Sequence, residues 1–150
     1  KKDWKFTDVS IRQIGSLIDK IEKAQVLGQP VCLVTISSGR SKFSTGFDNK
    51  SWMDETKRGE IGTIKDVAEF WAMLSKLMGL GMATMAVVNG HTYGSGVFFA
   101  LAHDFRTMIS SEMKPKAKFC LPEAQIGFPM PLPVSKLLDA TVSPVANRIL

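Results

Sequence analysis

No apolar run in this sequence approaches the ~20 residues that a membrane-crossing helix needs. The longest candidate, Met82–Val88, is strand-sized. Cysteine is scarce. Cys32 and Cys120 cannot supply a disulfide framework, and each sits in an apolar stretch where it reads as a small buried hydrophobe, in keeping with a reducing compartment. Acid is scarce in the second half: residues 76–150 hold only Asp104, Glu112, Glu123 and Asp139 against seven Lys/Arg, whereas residues 1–75 carry 10 acids against 12 bases. The net charge of +5 suits an anionic small molecule or a nucleic acid. No helix-turn-helix, RRM or zinc-finger pattern accompanies it, which makes nucleic acid the weaker reading. Walker A, GxSxG and HExxH are absent. His91 and His103 lie 12 residues apart with no Cys or carboxylate at ligand spacing, so they read as turn or packing residues and no metal site is expected. Lys1–Trp4 carries no initiator Met, secretory signal or transit segment, and the last residues read as the opening of a helix. The expectation is one domain, residues 1–150, belonging to a longer protein.

What is present is an ordinary folding composition, 45% hydrophobic and 22% charged over 150 residues. Thr7 or Asp8 caps a first helix, with Ile11, Ile14, Leu17, Ile18 and Ile21 at helical spacing, ended by Gly28-Gln29-Pro30. Val31–Ile36 is a continuous apolar, β-branched run, predicting a strand buried on both faces. Residues 49–62 read as surface loop or short helix. A second helix is predicted over Lys65–Met78, a second buried strand over Ala83–Val88, a helix over Gly94–Ala102 and a third strand over Phe105–Ile109. Phe119–Leu121 reads as a short strand. Four prolines exclude regular helix over Pro122–Pro133. Short helices are predicted over Ser135–Ala140 and Pro144–Leu150. Strands alternating with helices imply an α/β fold with parallel pairing. No internal repeat is visible.

Two segments stand directly after buried strands: Lys42-Phe43-Ser44-Thr45-Gly46-Phe47-Asp48 and Asn89-Gly90-His91-Thr92-Tyr93-Gly94-Ser95-Gly96. Loops at the carboxyl ends of parallel strands are where α/β folds bind ligands. Turns of small residues expose backbone N–H groups, and two such turns side by side could direct two donors at one oxygen, an oxyanion hole made of main chain. The same pattern also serves as plain strand–turn–helix connection, and Glu123, in a proline-bounded loop, reads equally as a surface acid.

The pair KFSTGFD and NGHTYGSG, with the following Ala100-Leu101 and His103-Asp104-Phe105-Arg106, resembles the signature of the crotonase, or enoyl-CoA hydratase/isomerase, superfamily. Leu121-Pro122-Glu123-Ala124-Gln125-Ile126-Gly127-Phe128-Pro129-Met130-Pro131 resembles that family's third active-site segment. The likeness runs over about residues 8–150 and is nearest in flavour to the Δ3,Δ2-enoyl-CoA isomerases. It implies a crotonase-like ββα-spiral core, incomplete at both ends: the first strands and the C-terminal helices of the family are absent from these 150 residues.

The resemblance also implies roles. The N–H groups of Phe47 and Ser95 would hold the thioester oxygen of an acyl-CoA as it becomes an enolate, and Glu123 would be the acid/base. Lys42, Ser44, Gly46, Asp48 and Gly94 would contact substrate or CoA, with Arg40 and Lys50 flanking; Tyr93, Phe98 and Phe128 would line the acyl pocket. Asp104 and Arg106 match a pair that is mainly structural. The family's hydratases carry a second glutamate where this chain has Phe98, so a single carboxylate is left to move a proton from C2 to C4. The implied activity is isomerisation of 3-cis- or 3-trans-enoyl-CoA to 2-trans-enoyl-CoA in fatty-acid β-oxidation. No metal or redox cofactor is expected, since coenzyme A is part of the substrate. Expected partners are acyl-CoA and further copies in a homo-trimer or larger oligomer, with no nucleic acid and no transmembrane segment, in peroxisome or mitochondrial matrix. The sequence departs from the family at Ala83, where proline is usual, and at Ser95, where the side chain is expected to crowd the acyl entry. The alternatives are a non-catalytic subunit with a structural or assembly role and, more remotely, hydration or thioester hydrolysis.

Overall fold

A computed structural model describes residues 4–25, 32–39, 41–48, 55–110, 112, 117–126 and 132–142, with the side chains of 55–63, 124 and 126 left aside. Helix α1 spans Asp8–Ala24. Thr7 caps it reciprocally with Ser10: the Ser10 N–H donates to the Thr7 hydroxyl (3.2 Å) and the Thr7 N–H to the Ser10 hydroxyl (2.8 Å). Strands β1 (Cys32–Ile36) and β2 (Lys42–Ser44) follow, then α2 (Glu55–Met78), β3 (Ala83–Val88), β4 (His91–Tyr93), α3 (Ser95–Leu101), β5 (Phe105–Met108), β6 (Phe119–Cys120), a 3₁₀ turn (Glu123–Ile126) and α4 (Leu132–Thr141). Odd-numbered strands form one parallel sheet in the order β1-β3-β5, and even-numbered strands a second parallel sheet in the order β2-β4-β6. Each turn of the chain therefore adds one strand to each sheet and then a helix. This ββα spiral is a structural repeat that the amino acids do not spell out.

The core sits where α1 and α2 cover the inner face of the first sheet. Phe70, on α2, is fully buried, with Phe6 at 5.0 Å and Phe47 at 4.9 Å between ring centroids. Ile11, Ile18, Leu74, Leu77, Val88 and Val97 complete it, each side chain stabilising by roughly 1.5–3 kcal/mol through burial. The spacing on α1 holds for Ile11 and Ile18, while Leu17 faces outward.

Three expectations change. The first sheet is not buried on both faces. Alternation puts Leu33 and Thr35 inward and Cys32, Val34 and Ile36 outward, and in register Val34-Met85-Phe105 and Ile36-Val87-Thr107 form rows on the outer face. Val34, Ile36 and Phe105 are 52, 59 and 60% exposed, which decides the point. Cys32 shares that face and is exposed, and Cys120 is half-buried, so neither is the buried hydrophobe expected. Helix α2 starts at Glu55, ten residues before the predicted start, so residues 55–62 of the stretch read as surface loop or short helix belong to this one long helix. Pro144–Leu150 and residues 127–131 of the proline-rich segment lie outside the described residues, while its last two residues, Leu132 and Pro133, open α4, proline being tolerated in a helix's first turn. No described helix is long and apolar enough to cross a membrane.

The corner after α3 ties the strands together. Thr84, buried in β3, donates from both its N–H (2.8 Å) and its hydroxyl (2.9 Å) to the Asp104 carboxylate, which these bonds hold below the usual carboxylate range. Arg106 donates to the carbonyls of His103 and Leu101. These contacts give Asp104 and Arg106 the structural place their resemblance implied. His103 is 2% exposed between α3 and β1. Its Nδ1 stands 2.9 Å from the Phe99 carbonyl, which can only accept, so Nδ1 carries the proton and Nε2 accepts from the Thr35 hydroxyl at 2.8 Å. Burial lowers its pKa from 6.5. In the window between that lowered value and 6.5 the unfolded chain binds a proton that the folded one refuses, so stability present above pH 6.5 is lost as pH falls through the window. Denaturation midpoints measured from pH 7.5 to 5 are expected to decline for the native chain and to decline less for His103→Gln; parallel curves would show that His103 is not the source.

Candidate active site

The first turn is set by the extended segment before α1. The Thr45 N–H donates to the Trp4 carbonyl (2.7 Å), and the hydroxyls of Ser44 and Thr45 donate to the same oxygen (3.2 Å each). The Phe6 N–H donates to the Gly46 carbonyl (2.8 Å) and the Asp48 N–H to the Phe6 carbonyl (3.1 Å). In this parallel bridge residues 46 and 48 face Phe6, so the N–H of Phe47 between them points to the opposite side of the strand. Gly46 sits at φ +80°, a region that disfavours side chains.

The second turn lies against it. Gly94 (φ +54°) donates its N–H to the Cys120 carbonyl at 3.1 Å, and Ser95 opens α3. A Cβ built on Gly46 would stand 2.9 Å from the Tyr93 carbonyl oxygen and 3.3 Å from the Ser95 nitrogen. The turn that carries the Phe47 N–H and the turn that carries the Ser95 N–H thus lie side by side. The third segment arrives from β6: Glu123 begins the 3₁₀ turn, and its Oε1 lies 2.9 Å from where a Cβ on Gly94 would be. Glu123 Oε2 is buried with no hydrogen-bond partner among the described residues. Burial raises the carboxyl above 4.5, opposed in part by its own backbone N–H. An unpartnered carboxylate oxygen with a raised pKa, beside two inward-facing turns, is equipped to carry a proton in either direction.

Phe98 follows Ser95 by one helical turn, is 6% exposed, and stacks on Trp71 of α2 (5.8 Å between centroids, 29° between planes). That position offers a ring and no oxygen. Tyr93 is half-buried with its ring 6.0 Å from that of His91, which accepts a hydrogen bond from the Lys118 N–H. Ser44 is buried under the first turn, its hydroxyl accepting from the Gly46 N–H at 3.2 Å. Asp48 is ion-paired with Lys5 at 2.9 Å, and Lys42 lies over the Trp4 ring at 6.0 Å. Phe128, Arg40, Lys50, Lys114 and Lys116 lie outside the described residues. A cavity of about 320 Å³ between α1 and β1, lined by Ile14, Ile18, Leu33 and Phe43 among others, reaches neither Ser95 nor Glu123.

Sequence reasoning missed two supports. Asn89 latches the loop after β1: its side-chain amide donates to the carbonyls of Ser37 and Gly39 (2.8 Å each) and accepts from the Ser37 N–H (3.3 Å). The signal was an Asn-Gly directly after a strand, read only as a turn. The Trp4 carbonyl, anchor of the first turn, leaves no signal in residue type at all.

The arrangement has relatives. A sequence profile for the family described as enoyl-CoA hydratase/isomerase matches residues 14–149. Enoyl-CoA delta isomerase 3 of Arabidopsis thaliana is 34% identical over 149 residues, covering 97% of this chain and 59% of that protein. The peroxisomal enoyl-CoA delta isomerase 2 of the same plant is 30% identical over the same shares. The crystal structure of an enoyl-CoA hydratase/carnithine racemase from Magnetospirillum magneticum superposes with a TM-score of 0.80 at 15% identity, over 95% of this chain and 50% of that one. The chain thus spans about three-fifths of the two plant relatives. By profile, by sequence and by its ββα spiral, the chain belongs to the enoyl-CoA hydratase/isomerase family, with a crotonase-like fold.

Proposed function

We propose that the protein shifts the double bond of a 3-cis- or 3-trans-enoyl-CoA to give the 2-trans-enoyl-CoA. The thioester oxygen accepts from the N–H groups of Phe47 and Ser95, which lowers the cost of forming an enolate. Glu123 removes a proton from C2, the electron pair delocalises through C3 and C4, and the same carboxyl returns the proton to C4. Atoms balance within the substrate, and coenzyme A serves only as its handle, so no metal or redox group enters the step. Names of the plant relatives agree with an isomerase, and one of them with a peroxisomal setting.

The carrying observation is the seating of Glu123 against Gly94 with one oxygen that has no partner among the described residues, while the position one helical turn after Ser95 holds the ring of Phe98, stacked on Trp71. Adding water across a double bond needs groups to hold and split that water, and a single carboxyl favours proton relocation instead. The test is a paired assay on the full-length protein. Incubation with 3-enoyl-CoA is expected to raise the ultraviolet absorbance of the conjugated thioester, and 2-trans-enoyl-CoA to lose none by hydration. Loss of absorbance from 2-trans-enoyl-CoA would make it a hydratase. No turnover of either, with acyl-CoA still bound, would leave the structural or assembly role.

A further inference from the structure

We propose that the Ser95 hydroxyl is a third hydrogen-bond donor to the substrate's thioester oxygen, added to the two main-chain donors; the proposal rests on the acyl-CoA reading above. Ser95 is 3% exposed, and its Oγ is buried with no hydrogen-bond partner among the described residues. An orphaned buried hydroxyl is costly, and alanine at the same place would remove the cost. Nearby buried hydroxyls are all used: Thr92 donates to the Gly90 carbonyl, Ser44 to the Trp4 carbonyl, and Thr84 to Asp104. Ser95 alone among these faces an unfilled need for an acceptor.

Its position says where that acceptor belongs. The point at which a Cβ on Gly46 would stand is 3.3 Å from the Ser95 nitrogen and 3.4 Å from Ser95 Oγ. Both polar atoms of Ser95 therefore approach the residue whose carbonyl carbon bears the Phe47 N–H. A hydroxyl rotates freely about its C–O bond, so it can turn its proton to an oxygen held there. It cannot usefully accept from an enolate, so its contribution is as donor, and it strengthens as negative charge develops. The side chain expected to obstruct the acyl entry thus becomes part of what recognises the thioester.

The experiment compares full-length wild type with Ser95→Ala and Ser95→Gly, both of which keep the backbone N–H. In 3-enoyl-CoA turnover, Ser95→Ala is expected to lower kcat about 10–100-fold with KM little changed, as for loss of one donor to developing charge. Its Tm is expected to stay level or rise, because an unpartnered polar atom has been removed. With bound hexanoyl-CoA, which does not react, the thioester carbonyl band is expected to move to higher frequency in both variants. Unchanged kcat and an unchanged band would overturn the proposal while leaving the isomerase reading standing. A shifted band in a protein that does not isomerise 3-enoyl-CoA would uphold the proposal and sink that reading. An unshifted band with a displaced acid limb of the pH–rate profile would assign the hydroxyl to Glu123 and also overturn the proposal. Failure to bind any acyl-CoA would overturn both.

Discussion

Glu123→Gln is expected to cost about 10²–10⁴-fold in isomerisation, the usual contribution of a positioned acid/base, while acyl-CoA still binds. The amide keeps the shape of the carboxyl and cannot take the C2 proton. The same change is expected to stabilise the fold near neutral pH. Burial raises the Glu123 carboxyl above 4.5, so the folded chain holds a proton that the unfolded one has released. That contribution to stability is present at low pH and is lost as pH rises from 4.5 through the raised value, leaving the native carboxylate a burden at neutrality. Glutamine carries no such burden. A residue kept for packing would lose stability on mutation, whereas one kept for chemistry loses activity and gains stability. Thermal midpoints at pH 7 and initial rates on the same preparations check both halves. A variant that retains a tenth of the rate would take the proton transfer away from Glu123. The acid limb of the wild-type rate profile should likewise sit above the ordinary carboxylate range, because the base must be ionised to act.

How much of this was legible follows from where each signal resides. Helix α1 was readable because Ile11 and Ile18 recur at helical spacing behind a Thr7 cap, and β3 because Ala83–Val88 is a bounded β-branched run; both elements begin where expected. Of the second sheet only β6 was readable, as the short strand expected over Phe119–Leu121. Strands β2 and β4 have three residues each, too few for a period to show. Their pairing depends on distant backbone groups, as when the Thr92 N–H donates to the Lys118 carbonyl. The outward face of β1 misled for another reason: Cys32, Val34 and Ile36 are as apolar as the residues facing inward, so composition alone could not separate the two faces. At the site, the resemblance supplied Glu123, Phe47 and Ser95 by position. What it could not supply was state. That Glu123 Oε2 and Ser95 Oγ are both buried and without a hydrogen-bond partner among the described residues is a property of packing, visible only once β4, β6 and the first turn are assembled.

The other large effect is expected at Gly46. Gly46→Ala should lower isomerisation about 10²–10³-fold, as removal of an oxyanion donor does, and destabilise the fold by roughly 1–3 kcal/mol. Two independent terms act. At φ +80° an L side chain is strained whatever the space around it. The new Cβ would also stand 2.9 Å from the Tyr93 carbonyl oxygen and 3.3 Å from the Ser95 nitrogen, both main-chain atoms that cannot swing aside. Relief requires the two turns to separate by tenths of an ångström, and donors to a developing oxyanion work only within about 2.7–3.1 Å of it. Gly94→Ala provides the contrast. Its φ of +54° is also unfavourable, but the Cβ there would meet the carboxylate of Glu123, the movable end of a side chain. It should therefore displace the base and slow proton transfer directly, while its own backbone, at φ +54° and ψ −126°, adds a strain that only glycine escapes. Denaturation midpoints and kcat for the two variants, with hexanoyl-CoA affinity as a check on folding, separate the cases. Near-native turnover in Gly46→Ala would mean that the close approach of these two turns is not what holds the thioester oxygen.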